Sequence, residues 1–151
     1  MGLLEITWAT LKRIATDQVE EIYKRALLLE RINAIGPVGR RTLAASMQLS
    51  EREVRAAAES LKEEGLIVLD TSGMQLSDDG LKILPEVRKL CRNISGLFDL
   101  ETQLKARLNI ANLAVVPGDA DQDRLVMVEL GRATAQTVLS VLKENMIIAV
   151  S

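Results

Sequence analysis

Arg40, Arg41, Arg52 and Arg55 form a patch of positive charge beside the hydroxyls of Thr42 and Ser50, with Lys62 further along the chain. A guanidinium can donate in bidentate fashion to phosphates or to guanine edges, and hydroxyls and the free N–H groups of a helix start donate to phosphate oxygens. The chemistry of these residue types is nucleic-acid recognition. Arg52 lies within and Arg55 just after Ser50-x-x-Glu53, a capping box in which each residue satisfies an orphan backbone donor of the other, so a helix is predicted to start at Ser50. Catalysis has no comparable constellation. The chain contains no histidine, which removes the usual general base and the commonest metal ligand, and its acidic residues lie at unremarkable spacings. No catalytic residue, metal site or bound cofactor is predicted.

The elements around the arginines set how they are presented. Downstream of Ser50, Val54, Ala57, Ala58 and Leu61 fall on one helical face, while Arg52, Ala56, Glu59 and Glu63 fall on the opposite one with Arg55 at its flank. Residues 41–47 make a shorter helix with Leu43, Ala44 and Met47 turned inward, and Gln48-Leu49 form the turn between the two. Gly65 suits the left-handed cap that ends the second helix. Runs 67–69 and 74–76 then flank Asp70-Thr71-Ser72-Gly73, a hairpin in which Gly73 supplies the positive φ. Helix, turn, helix and hairpin in this order make a winged helix-turn-helix, with the Ser50 helix in the major groove. The expected DNA-contacting residues are Arg40, Arg41, Thr42, Ser50, Arg52, Arg55 and Gly73. Two other readings stay open: a solvated face with Arg55 and Glu59 paired at i, i+4, and a winged helix that serves as a protein-interaction or oligomerisation module.

Composition narrows the class. With 19 basic and 21 acidic residues the formal net charge is −2, so DNA affinity requires local concentration of positive charge and two copies per site. A chain of 151 residues buries one ordinary core or two small ones, and at 2% aromatic content that core rests on Leu, Ile, Val and Ala. The single Cys91 cannot form an internal disulfide; packing is expected, with a redox sensor as the alternative. No apolar run reaches membrane-span length, and the start MGLLEITWATLKR lacks the core and cleavage site of a signal peptide. No membrane partner and a cytoplasmic location are expected.

The pattern divides the chain into a helical arm (1–20), the winged domain (21–84), a linker or dimerisation helix (85–108) and the start of an α/β domain (109–151). Leu4, Trp8, Leu11, Ala15, Ile22, Ala26 and Leu29 run at helical spacing until Gly36-Pro37, with 23–35 the first helix of the winged domain and Trp8 a packing residue. Ser77 caps a further helix whose first turn holds Asp78 and Asp79, both favourable there. Val87, Leu90, Ile94, Leu97, Leu104 and Leu108 suggest a short coiled coil, broken at Glu101 and interruptible at Gly96; packing of this helix on its own domain is the alternative. Beyond it, runs 113–116 and 146–150 around a helix at 125–142 read as a βαβ unit with too few elements to cover both faces of its sheet, and Asp119 lies in a strand-ending turn. The expected fold class is mainly α with a small β wing, followed by an incomplete α/β segment cut short at Ser151.

The stretch GPVGRRTLAASMQLSEREVRAAAESLKEEGLI, followed by TSGMQLSDDG, VVPGDADQD and NMIIAVS, resembles the amino-terminal part of the sorbitol-operon regulator (SorC/DeoR) family of bacterial repressors. The resemblance implies an N-terminal winged helix, a linker helix and a sugar-phosphate-binding domain related to sugar isomerases. It implies a repressor of glycolytic or sugar-metabolism genes, a dimer or tetramer on a double-stranded DNA operator, relieved by fructose 1,6-bisphosphate or a related sugar phosphate. In such relatives the strand matching 146–150 leads into a Gly- and Thr-rich phosphate loop beyond the position of Ser151. A sugar-phosphate partner is therefore expected only for the full-length protein, and no residue here is assigned to it.

Overall fold

The computed structural model describes residues 8–144 and 146, and the chain divides into two units between Phe98 and Asp99. The first unit is built around α2 (Thr16–Ile35), whose Ala26, Leu28, Leu29 and Ile32 recur at helical spacing and enter one buried cluster. A short α1 (Trp8–Ile14), carrying the partly buried Trp8, precedes it across a break at Ala15, where φ is −145°. α2 runs unbroken through the expected division between arm and winged domain. It ends where expected: Gly36 has φ of +84° and donates its N–H to the Ile32 carbonyl at 3.1 Å.

α3 (Arg40–Met47) buries Leu43 and Ala44, and Gln48 turns the chain in the left-handed region at φ of +54°. α4 (Glu51–Glu63) follows and buries Val54, Ala57, Ala58 and Leu61, the four residues assigned to its inner face. Two consecutive alanines leave room for α2 and α3 to approach. The helix closes in a Schellman arrangement about Gly65, at φ of +73°: Leu66 N–H donates to the Leu61 carbonyl at 2.9 Å and Gly65 N–H to that of Lys62 at 2.9 Å.

β1 (Ile67–Asp70) and β2 (Gly73–Leu76) then pair antiparallel, with Leu69 opposite Met74. Val38, in the loop ahead of α3, bridges to Met74 through two backbone bonds of 3.1 and 2.8 Å. A Cβ on Gly73 would lie 2.7 Å from the Val38 carbonyl carbon, so this glycine is demanded by close backbone approach as well as by its φ of +130°. The wing is thereby tied to the entrance of the helix-turn-helix.

α5 (Asp78–Ile94) starts at Ser77, whose hydroxyl accepts the Gly80 N–H at 3.0 Å and donates to the Gly65 carbonyl at 2.6 Å. Pro85 lies within α5 on its exposed side, and the helix continues through the missing donor. Leu84, Val87 and Cys91 join the cluster that holds Leu28 and Ile32, and Arg88 approaches Glu30 of α2 at 3.8 Å. The apolar stripe expected to pair two chains is thus spent within one chain over α5, because α2 offers the nearest apolar face. Burial, reinforced by Glu30, pushes the Cys91 thiol up to about 12, so the thiolate that redox chemistry requires is scarce and packing is its role. The stripe also breaks at Ser95 and Gly96, the latter at φ of +75°, before α6 (Leu97–Leu108) begins.

The second unit contains most of α6, a turn at Gly118 and α7 (Arg124–Val141), capped by the Asp123 carboxylate, which accepts the Leu125 N–H at 2.9 Å. The strand expected at 113–116 does not form. Its would-be partner falls on 146–150, of which only Met146 is described, and the Val115 N–H instead donates to the buried Glu101 carboxylate at 2.6 Å. Asp119 belongs to a turn: its carboxylate accepts the Asp121 N–H at 2.9 Å. Among the described residues no helix is long and apolar enough to cross a membrane.

Gly80 supplies a test of this packing. A Cβ there would sit 2.1 Å from the Leu66 carbonyl oxygen, whereas one on Gly131 in α7 would meet nothing within 4 Å. Gly80→Ala should therefore destabilise by roughly 1–3 kcal/mol despite alanine's helix preference, and Gly131→Ala should be neutral or stabilising by up to about 1 kcal/mol. Urea denaturation of both variants reads the contrast, and equal midpoints would remove the Gly80 contact from the account.

Candidate nucleic-acid interface

Geometry at the start of α4 is fixed by its cap. The Ser50 hydroxyl accepts the Glu53 N–H at 3.2 Å and donates to the Glu53 carboxylate at 2.8 Å, while the Ser50 N–H donates to the same carboxylate at 3.0 Å. Both polar groups of Ser50 are thus engaged, so Ser50 acts on the interface by placing the helix start. Lys24 of α2 donates to the other Glu53 oxygen at 3.2 Å, and Arg25 of α2 donates to Ser60 at 2.8 Å and to Glu21 at 2.9 Å. α2 therefore grips α4 near its first and third turns. Burial of Val54, Ala57, Ala58 and Leu61 fixes which way the helix is rolled.

That roll exposes Arg52, Arg55, Ala56 and Glu59 together. Among the described residues neither Arg52 nor Arg55 holds a hydrogen bond or ion pair, and the Arg55–Glu59 pair at i, i+4 is not formed. Their guanidinium donors are available to an incoming acceptor.

α3 presents a second set. Its first intrahelical bond runs from Leu43 N–H to the Gly39 carbonyl at 3.0 Å, and no side chain caps it. The amides of Arg40, Arg41 and Thr42 accordingly precede that bond at the positive end of the helix, with all three side chains exposed. Arg41 donates to Glu51 at 3.3 Å, which joins the start of α3 to the start of α4. With the Arg41 side chain 91% exposed, this pair is weak enough to yield to a phosphate.

The wing is different in character. At its tip the Asp70 carboxylate accepts from Ser72 N–H at 2.7 Å, Ser72 Oγ at 2.5 Å, Gly73 N–H at 3.2 Å and Gln75 Nε2 at 2.9 Å. These bonds, the Ser72 hydroxyl first, hold Asp70 below the usual carboxylate range. No basic residue lies between Asp70 and Leu76. Gly73 packs against the backbone of Val38, two residues ahead of Arg40, and this contact gives the glycine a packing role. Sequence reasoning missed Lys24 and Arg25, because their partners are 29 and 35 residues away and no local pattern reveals them.

Glu53 links the cap to pH. The Ser50 N–H first, then the Ser50 hydroxyl and the Lys24 ammonium, lower its carboxyl from 4.5 to about 2. A lowered folded-state value means that the stabilisation is complete above pH 4.5 and is lost as pH falls toward 2. Glu53→Gln should flatten the acid decline of stability in that window, followed by urea midpoints at stepped pH. A parallel decline in variant and parent would show that the cap does not titrate there.

Comparison with known proteins agrees with this geometry. Residues 22–91 match the CggR N-terminal DNA binding domain, and residues 92–151 match a putative sugar-binding domain. The central glycolytic genes regulator of Bacillus subtilis (strain 168) is 35% identical over 140 residues, covering 93% of this chain and 41% of that protein. Its counterpart in Priestia megaterium (strain DSM 319 / IMG 1521) is 36% identical over 136 residues, covering 90% of this chain and 39% of that protein. The chain thus spans about two fifths of the length of these relatives. Its DNA-binding and sugar-binding segments are thus both matched, and along nearly its whole length the chain is similar to the central glycolytic genes regulators, in keeping with its SorC/DeoR resemblance.

Proposed function

We propose that the protein is a sequence-specific DNA-binding repressor of glycolytic or sugar-metabolism genes, in which the recognition helix over about residues 50–63, α4 with its cap, lies in the major groove. Arg52 and Arg55 reach base edges or phosphates, and Arg40, Arg41 and Thr42 hold the backbone from the start of α3. The observation that carries this is the pair of exposed, unpartnered arginines on a capped helix whose opposite face is buried. Neither enzymatic activity nor a membrane partner is part of the proposal, and the location is cytoplasmic. A net charge of −2 favours homo-oligomers, a dimer or tetramer whose subunits pool their phosphate contacts. Because α5 buries Val87, Cys91 and Ile94 within its own chain, the contacts between copies lie on other surfaces. The match of 92–151 to a putative sugar-binding domain supports a sugar phosphate, fructose 1,6-bisphosphate or a relative of it, as effector of the full-length protein.

Exposed Val68 and Leu69 on β1, together with the acidic wing tip, favour a second reading as a winged-helix protein-interaction module. A duplex titration across salt concentrations separates the two. Phosphate neutralisation makes a DNA reader lose affinity steeply as salt rises; absent or salt-insensitive binding points to the interaction module. Arg52→Ala with Arg55→Ala should weaken operator binding at least about tenfold and reduce the salt slope by up to about 2, with circular dichroism unchanged. Full affinity in the folded double variant would overturn the docking of α4.

A further inference from the structure

Arg52, Arg55, Ala56 and Glu59 occupy positions i, i+3, i+4 and i+7 of α4, one stripe along the exposed face. Helices in the major groove read bases from a stripe of this spacing. Glu59 is the unexpected member. A carboxylate on a face turned to DNA is repelled by phosphates and by the acceptor edges of guanine and thymine. Arg55 at i−4 and Lys62 at i+3 both lie at spacings from which a local pair could form. Among the described residues Glu59 holds no ion pair or hydrogen bond. The two other acids at the start of the helix are engaged, Glu51 by Arg41 and Glu53 by Ser50 and Lys24. Ala56 adds no bulk beside Arg52 and Glu59, so the groove floor can approach the stripe.

We propose that Glu59 is a specificity-determining residue that accepts a hydrogen bond from the N4 amino group of a cytosine, at a position next to the base pairs reached by Arg52 and Arg55. The inference rests on the reading that α4 enters the major groove. Its chemistry is selective in two ways. A carboxylate matches the cytosine amino group, and against guanine or thymine it places acceptor against acceptor, a penalty on wrong sites that adds to the preference for the right one. Arginines alone would favour any guanine-rich duplex.

The test is selection of bound duplexes from a random pool by the parent chain, Glu59→Gln and Glu59→Ala, followed by titration of single-position variants of the selected duplex. The parent should prefer cytosine at one position by about tenfold. Glu59→Gln should move that preference toward adenine, whose amino and N7 groups suit a carboxamide. Glu59→Ala should abolish the preference at that position alone and bind unrelated duplexes more tightly, because a repulsive charge has gone. Unfolding midpoints should not change, since the side chain is exposed. If both variants keep the parent's base preferences, or gain affinity equally for every duplex, Glu59 is only a surface charge and the proposal falls. If the parent itself selects no duplex, the major-groove reading falls, and this proposal with it.

Discussion

Three elements meet at one peptide. Leu66 gives its N–H to Leu61 at the end of α4, its carbonyl accepts the Ser77 N–H at 3.0 Å, and that same carbonyl lies against Gly80 in the first turn of α5. The Ser77 hydroxyl adds a bond to the neighbouring Gly65 carbonyl while it caps α5. Carbonyls just past the end of one helix are in this way satisfied by the start of another. The far end of α4 is held by Lys24 and by the Ser50–Glu53 cap. With both ends held and Val54, Ala57, Ala58 and Leu61 buried, α4 has one roll available to it, and the exposed stripe follows from that roll.

Charge is arranged to suit. A chain with a net charge of −2 cannot draw on overall attraction to a polyanion, so the sign of its field must be set locally. Around the starts of α3 and α4 the acids are engaged in structure: Glu53 in the cap and Glu51 with Arg41. Arg52 and Arg55 are left without intramolecular partners, and the uncapped start of α3 adds backbone donors beside them. The wing turns an ionised Asp70 outward, which makes it a poor phosphate contact beside the arginines of α3 and α4.

How much of this was legible in the residues follows the range of each interaction. The capping box, the inner face of α4, the Gly65 cap and the hairpin each depend on residues a few positions apart, and each stands where the sequence placed it. Contacts that cross tens of residues did not declare themselves. Lys24 and Arg25 look like ordinary members of a charged helix until α4 is laid beside them. Gly73 was assigned to DNA contact from its place in the wing, and the close approach of Val38 gives it a packing reason no local pattern contains. The run at 113–116 has the composition of a strand, but a strand is defined by its partner, and the Val115 amide found a carboxylate instead.

The sequence by itself determined the order of elements from α3 to the wing, where α4 and α5 start, and which residues of α4 share a face, because helical periodicity and capping are properties of neighbouring residues. Tertiary structure decided which surface each apolar stripe meets. The stripe of α5 served equally well for a partner subunit or for α2, and proximity settled it in favour of α2, where Leu84, Val87 and Cys91 complete a core that lacks aromatic bulk. It also decided that Arg55 and Glu59 stay apart, leaving both to the exposed face. Spacing permits that pair but cannot require it, since an exposed ion pair gains little over solvation by water.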